Sequence, residues 1–239
     1  MNYKNKNAII IITLINLYSF DSFATPFYVG ISGQQQDIHL ESNMNSSAYT
    51  GSSTNMNKAT NIVGFAGYEF GENKINPYKL SIEASYYQDY NDLSSATSYY
   101  QDSQENFLLF GENQSYLKSK VLSFNTIHTY NLKDRFNLIG IVGVSYYNFK
   151  FTENITEYNI DNDNYSYYHG MDKINKFGFN LGIGFSIRMP KMYYDPLLSE
   201  RITLRTKIVH SFFKIKPDII FVDEITGKTS LEIDMIIHF

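Results

Sequence analysis

Apolar and polar residues alternate with a period of two in eight segments of the chain, and no segment past residue 24 carries a convincing helical repeat. The alternation is cleanest over 176–189. There Phe177, Phe179, Leu181, Ile183, Phe185, Ile187 and Met189 occupy one face, and Lys176, Gly178, Asn180, Gly182, Gly184, Ser186 and Arg188 the other. Segment 78–87 repeats the pattern, with Tyr78, Leu80, Ile82, Ala84 and Tyr86 opposed to Lys79, Ser81, Glu83 and Ser85. In the final segment, 229–239, Leu231, Ile233, Met235, Ile237 and Phe239 share a face, while Glu232 and Asp234 put charge on the other. Successive strand side chains point to opposite faces, so each pattern predicts a strand with one apolar face. Further strands are predicted at 27–38, 61–70, 117–130, 136–151 and 201–213. The phases of 117–130 and 136–151 are less clear, which a β-bulge in either would explain.

The connections alternate as regularly as the side chains. Those after the second, fourth and sixth strands are short, at 71–77, 131–135 and 190–199. Those after the first, third, fifth and seventh are long and polar, at 39–60, 88–115, 152–175 and 214–228. A soluble sandwich has no reason to gather every long loop at one end. A transmembrane barrel does, with tight periplasmic turns and longer extracellular loops. The prediction is an all-β chain: one eight-stranded antiparallel up-and-down transmembrane barrel. In that topology Phe27, Tyr78, Phe185 and Phe239 lie near the periplasmic interface, and Tyr86, Phe177, Phe179 and Phe212 near the outer one, as two aromatic girdles.

Composition agrees. The 239 residues are 43% hydrophobic and 18% charged, with 21 Tyr, 18 Phe, no Trp and no Cys. A mean hydropathy of -0.29 excludes a helical membrane protein but not a barrel, in which half of each strand faces away from lipid. Without Cys there is no disulfide, thiolate metal site or thiol nucleophile. A net charge of -4 gives no nucleic-acid surface. Residues 1–24 read as a cleaved signal peptide: Lys4 and Lys6, an apolar run at 8–17, and Ser22-Phe23-Ala24 as the cleavage motif. The barrel domain is then 25–239.

Phe27-Tyr28-Val29-Gly30, the 79–86 strand, Ser123-Phe124-Asn125-Thr126, Ile139-Gly140-Ile141-Val142-Gly143-Val144 and the terminal Phe239 together resemble the eight-stranded bacterial outer-membrane barrel superfamily of opacity proteins and OmpA membrane domains. The resemblance spans the whole chain past residue 24. It implies location in the bacterial outer membrane among its lipids, with Phe239 as the signal read by the barrel-assembly machinery. It implies a surface protein such as an adhesin, antigen or envelope anchor, and it leaves no room for a further periplasmic domain.

Chemistry is sparse. The inward phase collects Glu83, Glu232 and Asp234 with Arg188, Arg201, Arg205 and Lys207. An eight-stranded barrel is just wide enough for side chains to fill. These residues are therefore expected to pair and plug the lumen, with a narrow diffusion channel as the alternative. The lipid-A-modifying barrels use His with Ser. Here the one adjacent pair, His210-Ser211, points to opposite faces, so no catalytic, cofactor or metal residue is assigned. Asp161-Asn162-Asp163-Asn164 fails the EF-hand pattern and reads as a solvated acidic loop. The long loops are rich in Tyr, Asn and Ser, the chemistry of adaptable binding surfaces. Tyr99, Tyr100, Tyr158, Tyr165, Tyr167 and Tyr168 are candidate contacts for a host or matrix ligand.

Overall fold

A computed structural model describes residues 26–41, 59–70, 77–101, 107–133, 135–159, 163–189, 201–218 and 224–239. The signal-peptide reading over 1–24 lies outside them. The elements are β1 (Phe27–Glu41), β2 (Ala59–Phe70), β3 (Tyr78–Gln101), β4 (Phe107–Lys133), β5 (Phe136–Asn159), β6 (Asn164–Arg188), β7 (Ile202–Ile215) and β8 (Glu224–His238). Each strand pairs antiparallel with its sequence neighbour, and β1 pairs with β8 to close the barrel. Closure leaves the shared part of the sheet no unpaired edge, which is what allows strands to cross a membrane at all.

The side-chain phase is inside-out relative to a water-soluble barrel. Outward positions of β6 are Phe177, Phe179, Leu181, Ile183 and Phe185, all exposed, while Gly178, Asn180, Gly184 and Ser186 on the same strand are buried. Neighbouring strands carry the same outward band: Tyr78, Ile82 and Tyr86 on β3, Phe124 and Tyr130 on β4, and Leu138, Val142, Val144 and Tyr146 on β5. Eight residue steps from Tyr78 to Tyr86 span about 27 Å of strand, or about 20 Å along the axis at a tilt of about 40°. With the end rings included, this matches a lipid-facing band of about 25 Å. The named girdle residues Phe27, Tyr78, Phe185, Tyr86, Phe177, Phe179 and Phe212 are all exposed, and Phe239 is half-buried.

The strands are unequal. β1, β2, β7 and β8 run 12–15 residues, whereas β3, β4, β5 and β6 run 24–27. The stretches 88–115 and 152–175, expected as loops, are therefore largely strand. β3 pairs with β4 out to Gln101↔Phe107, β4 with β5 to Leu109↔Asn159, and β5 with β6 to Asn159↔Asn164. Pairing to the short strands stops earlier, at Gly64↔Tyr86 on one side and Phe179↔Phe212 on the other. A four-stranded wall thus continues past the barrel rim. Its sequence looked like loop because it has no apolar face, yet a sheet standing in water needs none, and Tyr and Thr favour strands. The expected bulge in 117–130 or 136–151 is absent: β4 and β5 pair without interruption from Leu109 to Asn131. Their phase was obscure because apolar residues point both ways, outward to the band and inward at Leu117, Val121, Tyr147, Phe149 and Phe151.

Candidate functional site

The inner face of the barrel concentrates its charge at mid-height. Register sets Arg205 opposite Asp234 and Lys207 opposite Glu232 between β7 and β8. Arg205 Nη2 donates to Glu83 Oε2 at 2.7 Å from across the lumen, and its Nε donates to Asp234. Lys207 Nζ lies 3.0 Å from Glu232, 3.2 Å from Asp234 and 3.5 Å from Glu83. Neutral donors complete the shell: Gln34 Nε2 to Glu232 at 2.8 Å, Ser230 Oγ to Glu232 at 2.9 Å and Tyr28 OH to Glu83 at 3.3 Å. The Phe65 ring sits 5.0 Å from the Arg205 guanidinium and 5.4 Å from Lys207 Nζ. Room for the rings comes from glycine. A Cβ at Gly67 would run into the Tyr28 ring, and one at Gly30 into the Phe65 ring.

All five charged groups are buried. Burial of an ion costs several kcal/mol unless partners and hydrogen bonds compensate, and here every charge has both. Arg188 and Arg201, expected in this network, are elsewhere. Both are exposed and make no ion pair among the described residues. Arg188 is the last residue of β6, and Arg201 precedes β7. Both hold the inward phase, but at the strand ends, away from the height of the network.

Above and below the network the lumen differs. At the end where the short turns lie, a cavity of about 260 Å³ is lined by Arg135, Arg188, His238 and the Glu69–Lys79 pair, at 2.6 Å. On the other side of the network only about 30 Å³ remains, room for a single water. There Lys228 donates to Tyr87 OH and, at 2.9 Å, to Gln36 Oε1. Gln36 and Ser119 in turn donate to Asp89. An apolar cluster then fills the bore, built from Leu117, Val121, Tyr147, Phe149, Phe151 and Phe213 with Ile38, Val63, Tyr87, Ile215 and Ile225. Sequence reasoning missed this cluster and the Lys228–Gln36–Asp89 chain. The signal was present in the even spacing of Tyr147, Phe149 and Phe151.

Among the described residues the histidines reach no hydrolytic constellation. His210 Nδ1 and His39 Nε2 each lie 2.9 Å from Thr229 Oγ1 on the outer face. Ser211 faces the other way and donates to Asn180 Oδ1 at 2.9 Å.

The tyrosines of the projecting wall divide. Tyr99 and Tyr100 pair by backbone with Phe110 and Leu109, and their side chains lie outside the described residues. Tyr158, Tyr165 and Tyr167 share the outward face of the β5–β6 hairpin, and Tyr168 takes the opposite phase. Ring centroids are 4.7 Å apart for Tyr158–Tyr165 and 6.4 Å for Tyr165–Tyr167. Tyr167 is 76% exposed. The turn is set by Asp163, whose φ of 48° is a left-handed conformation that Asp tolerates better than most residues. Its Oδ1 accepts a 2.7 Å bond from Tyr158 OH, and this carboxylate raises the Tyr158 pKa above the usual phenol value.

No family model matches the chain, and no curated protein matches it. Among solved structures it is similar to Neisserial surface protein A, at 13% identity over 91% of this chain and 100% of that one, with a TM-score of 0.44. It is also similar to OprG, an outer membrane protein from Pseudomonas aeruginosa, at 10% identity over 91% and 99% of the two chains, with a TM-score of 0.45. Ail, the attachment invasion locus protein of Yersinia pestis, crystallised with a heparin analogue, gives 12% identity over 88% and 95%, with a TM-score of 0.37. At such identities and scores, architecture and function both rest on the chain itself. Its closed ring of eight antiparallel, up-and-down strands is the fold of an eight-stranded outer-membrane β-barrel.

Proposed function

We propose that the protein is a non-enzymatic surface protein of the bacterial outer membrane, in which the barrel is an anchor and the β3–β6 wall a projecting contact surface. The short-turn end faces the periplasm and the long hairpins face outward, as in transmembrane barrels generally. The observation that carries the reading is the wall itself. Four paired strands rise past the rim and hold Tyr165, Tyr167 and Tyr168 exposed on a hydrogen-bonded frame instead of a loose loop. A rigid aromatic surface binds at low entropy cost, because its side chains are ordered before contact. The occupant we infer is a host-cell or matrix surface. The filled lumen supports an anchor over a channel, since charge pairs and then rings occupy the bore in succession. Phe239, whose backbone N donates to Phe27 O at 3.1 Å, is proposed as the residue presented to the assembly machinery.

The test removes the wall and keeps the barrel. Residues 92–116 and 154–169 are each replaced by Asn-Gly, joining the paired positions Asn91↔Leu117 and Glu153↔Gly170. Bacteria carrying the trimmed protein should lose attachment to cultured cells and immobilised matrix proteins while the barrel still shifts in heat-modifiable gel migration. Attachment that survives trimming with a folded barrel would overturn the contact role.

A further inference from the structure

We propose that the outward face of β4, β5 and β6, immediately past the apolar band, is a docking site for the phosphate groups of an anionic glycolipid in the surrounding leaflet. The proposal rests on the membrane reading above and adds a lipid class to it. Register sets Lys118 opposite Lys150, and Lys150 opposite Lys173, so three ammoniums form one row across three strands. Lys120 lies two residues nearer the band on β4. Directly opposed side chains stand about 5 Å apart at Cβ, where like charges are destabilising. Among the described residues none of these four lysines has an acidic partner or a side-chain hydrogen bond. Of the nearby acids, Asp89, Glu153 and Asp172 occupy the opposite phase, and Asp92, two residues past Lys118's partner Tyr90, shares the outward phase with its side chain outside the described residues. The protein's other described lysines on strands beyond this wall are provided for: Lys214 and Lys216 share Glu224, and Lys207 and Lys228 have partners inside the lumen. An unrelieved row of cations is the arrangement that an external polyanion completes.

Position selects a lipid over a soluble polyanion. The continuous outward apolar run ends at Leu122, Tyr146 and Phe177, with Met171 beyond it on β6, and the first charged outward residue past that run on each strand is a lysine: Lys120, Lys150 and Lys173. The separation is two residues on β4 and four on β5 and β6, or about 7–14 Å of strand, the depth of a headgroup layer. Acyl chains running down Phe124, Val144 and Phe179 bring a headgroup's phosphates to the row, where lysine serves as a mobile point charge for phosphate. A soluble sulfated chain makes no use of the adjoining apolar surface.

The experiment places the full-length barrel in nanodiscs of phosphatidylcholine alone, with added bis-phosphorylated glycolipid, or with the same glycolipid after phosphatase treatment. Bound lipid is counted by native mass spectrometry. Wild type should retain the phosphorylated form at least ten-fold over the dephosphorylated one. K118Q/K150Q/K173Q should abolish the preference, and K118R/K150R/K173R should keep it. In phosphatidylcholine alone the glutamine variant should resist heat as well as wild type or better, since repulsion is gone. Equal retention of both glycolipids, or a preference that survives the glutamine variant, overturns the proposal. So does heparin that binds the detergent-solubilised protein through the same lysines and displaces the glycolipid. Failure to insert into phosphatidylcholine discs would instead defeat the membrane reading, so the two failures are distinguishable.

Discussion

The two halves of the barrel wall meet lipid in the same way and diverge everywhere else. The short wall, β7–β8–β1–β2, supplies Arg205, Lys207, Glu232, Asp234 and Gln34 to the lumen network, and the long wall supplies Glu83. Higher up both walls fill the bore: the long wall supplies Tyr87, Leu117, Val121, Tyr147, Phe149 and Phe151, and the short wall Ile38, Val63, Phe213, Ile215 and Ile225. An eight-stranded bore has to be filled. This chain fills it with paired charge at mid-height, mostly from the short wall, and above that with apolar volume in which the long wall supplies every ring but Phe213. The short wall therefore carries most of the charge that fastens the anchor, and the long wall carries most of the rings that cap it and reaches out.

The largest effect should come from breaking the single tie between the walls inside the network. Glu83→Ala leaves Arg205 and Lys207 with one acid fewer in a site closed to water, a loss of about 3–5 kcal/mol for a buried pair broken on one side. Urea titration of the detergent-solubilised barrel reads it directly. The double variant Glu232→Gln/Asp234→Asn should likewise lower thermal resistance far more than it alters single-channel conductance. A large conductance gain at unchanged stability would mean that the network gates the bore and does not plug it.

Next comes the cap. Leu117→Ala removes a fully buried side chain contacting the aromatic cluster and should cost about 2–3 kcal/mol, below the network variant. Tyr165→Ser on the same wall, exposed at the hairpin, should change stability by less than about 0.5 kcal/mol. If the two cost the same, the cap is not a packed core.

This contrast also explains what could be read in the sequence. Eight strands, the inward and outward phases of all but 117–130 and 136–151, and the partnership of Glu83 with Arg205, Lys207, Glu232 and Asp234 follow from period-two patterning, because a lipid-facing strand must keep one face apolar without interruption. Arg188 and Arg201 obey the same phase and still miss the network, since alternation gives a face but no height along the axis. The wall past the rim has the sequence pattern of a loop for a related reason. Once a strand leaves lipid, neither face has to be apolar, and the pattern that announces strands disappears while the hydrogen-bonded ladder continues. The sequence offers Tyr158, Tyr165 and Tyr167 as loop contacts, and the structure places them on a ladder, with Asp163 closing the turn. Paired lysines such as Lys118 and Lys150 are invisible until register is known.

The smallest effect concerns the rim of the short wall, where an ion pair in water replaces the long wall's rings. Glu224 accepts from Lys214, with Lys216 at 3.6 Å, and the Lys214 hydrogen bond holds its carboxyl below the usual carboxylate range. A depressed folded-state pKa gives stability that is fully present above the unfolded value, about 4.3, and is lost as pH falls through the lower folded value. The lysines stand in solvent, so the contribution is modest and screened by salt. Amide exchange over 224–228 should therefore be slower in wild type than in Glu224→Gln at pH 7, and the two should converge as pH drops toward 3. Raising salt to about 0.5 M at pH 7 should shrink the difference in the same way. A difference that persists at pH 3 would assign the protection of this rim to packing around Ile225 and not to the ion pair. The apolar cluster that both walls share would then protect this rim without help from charge.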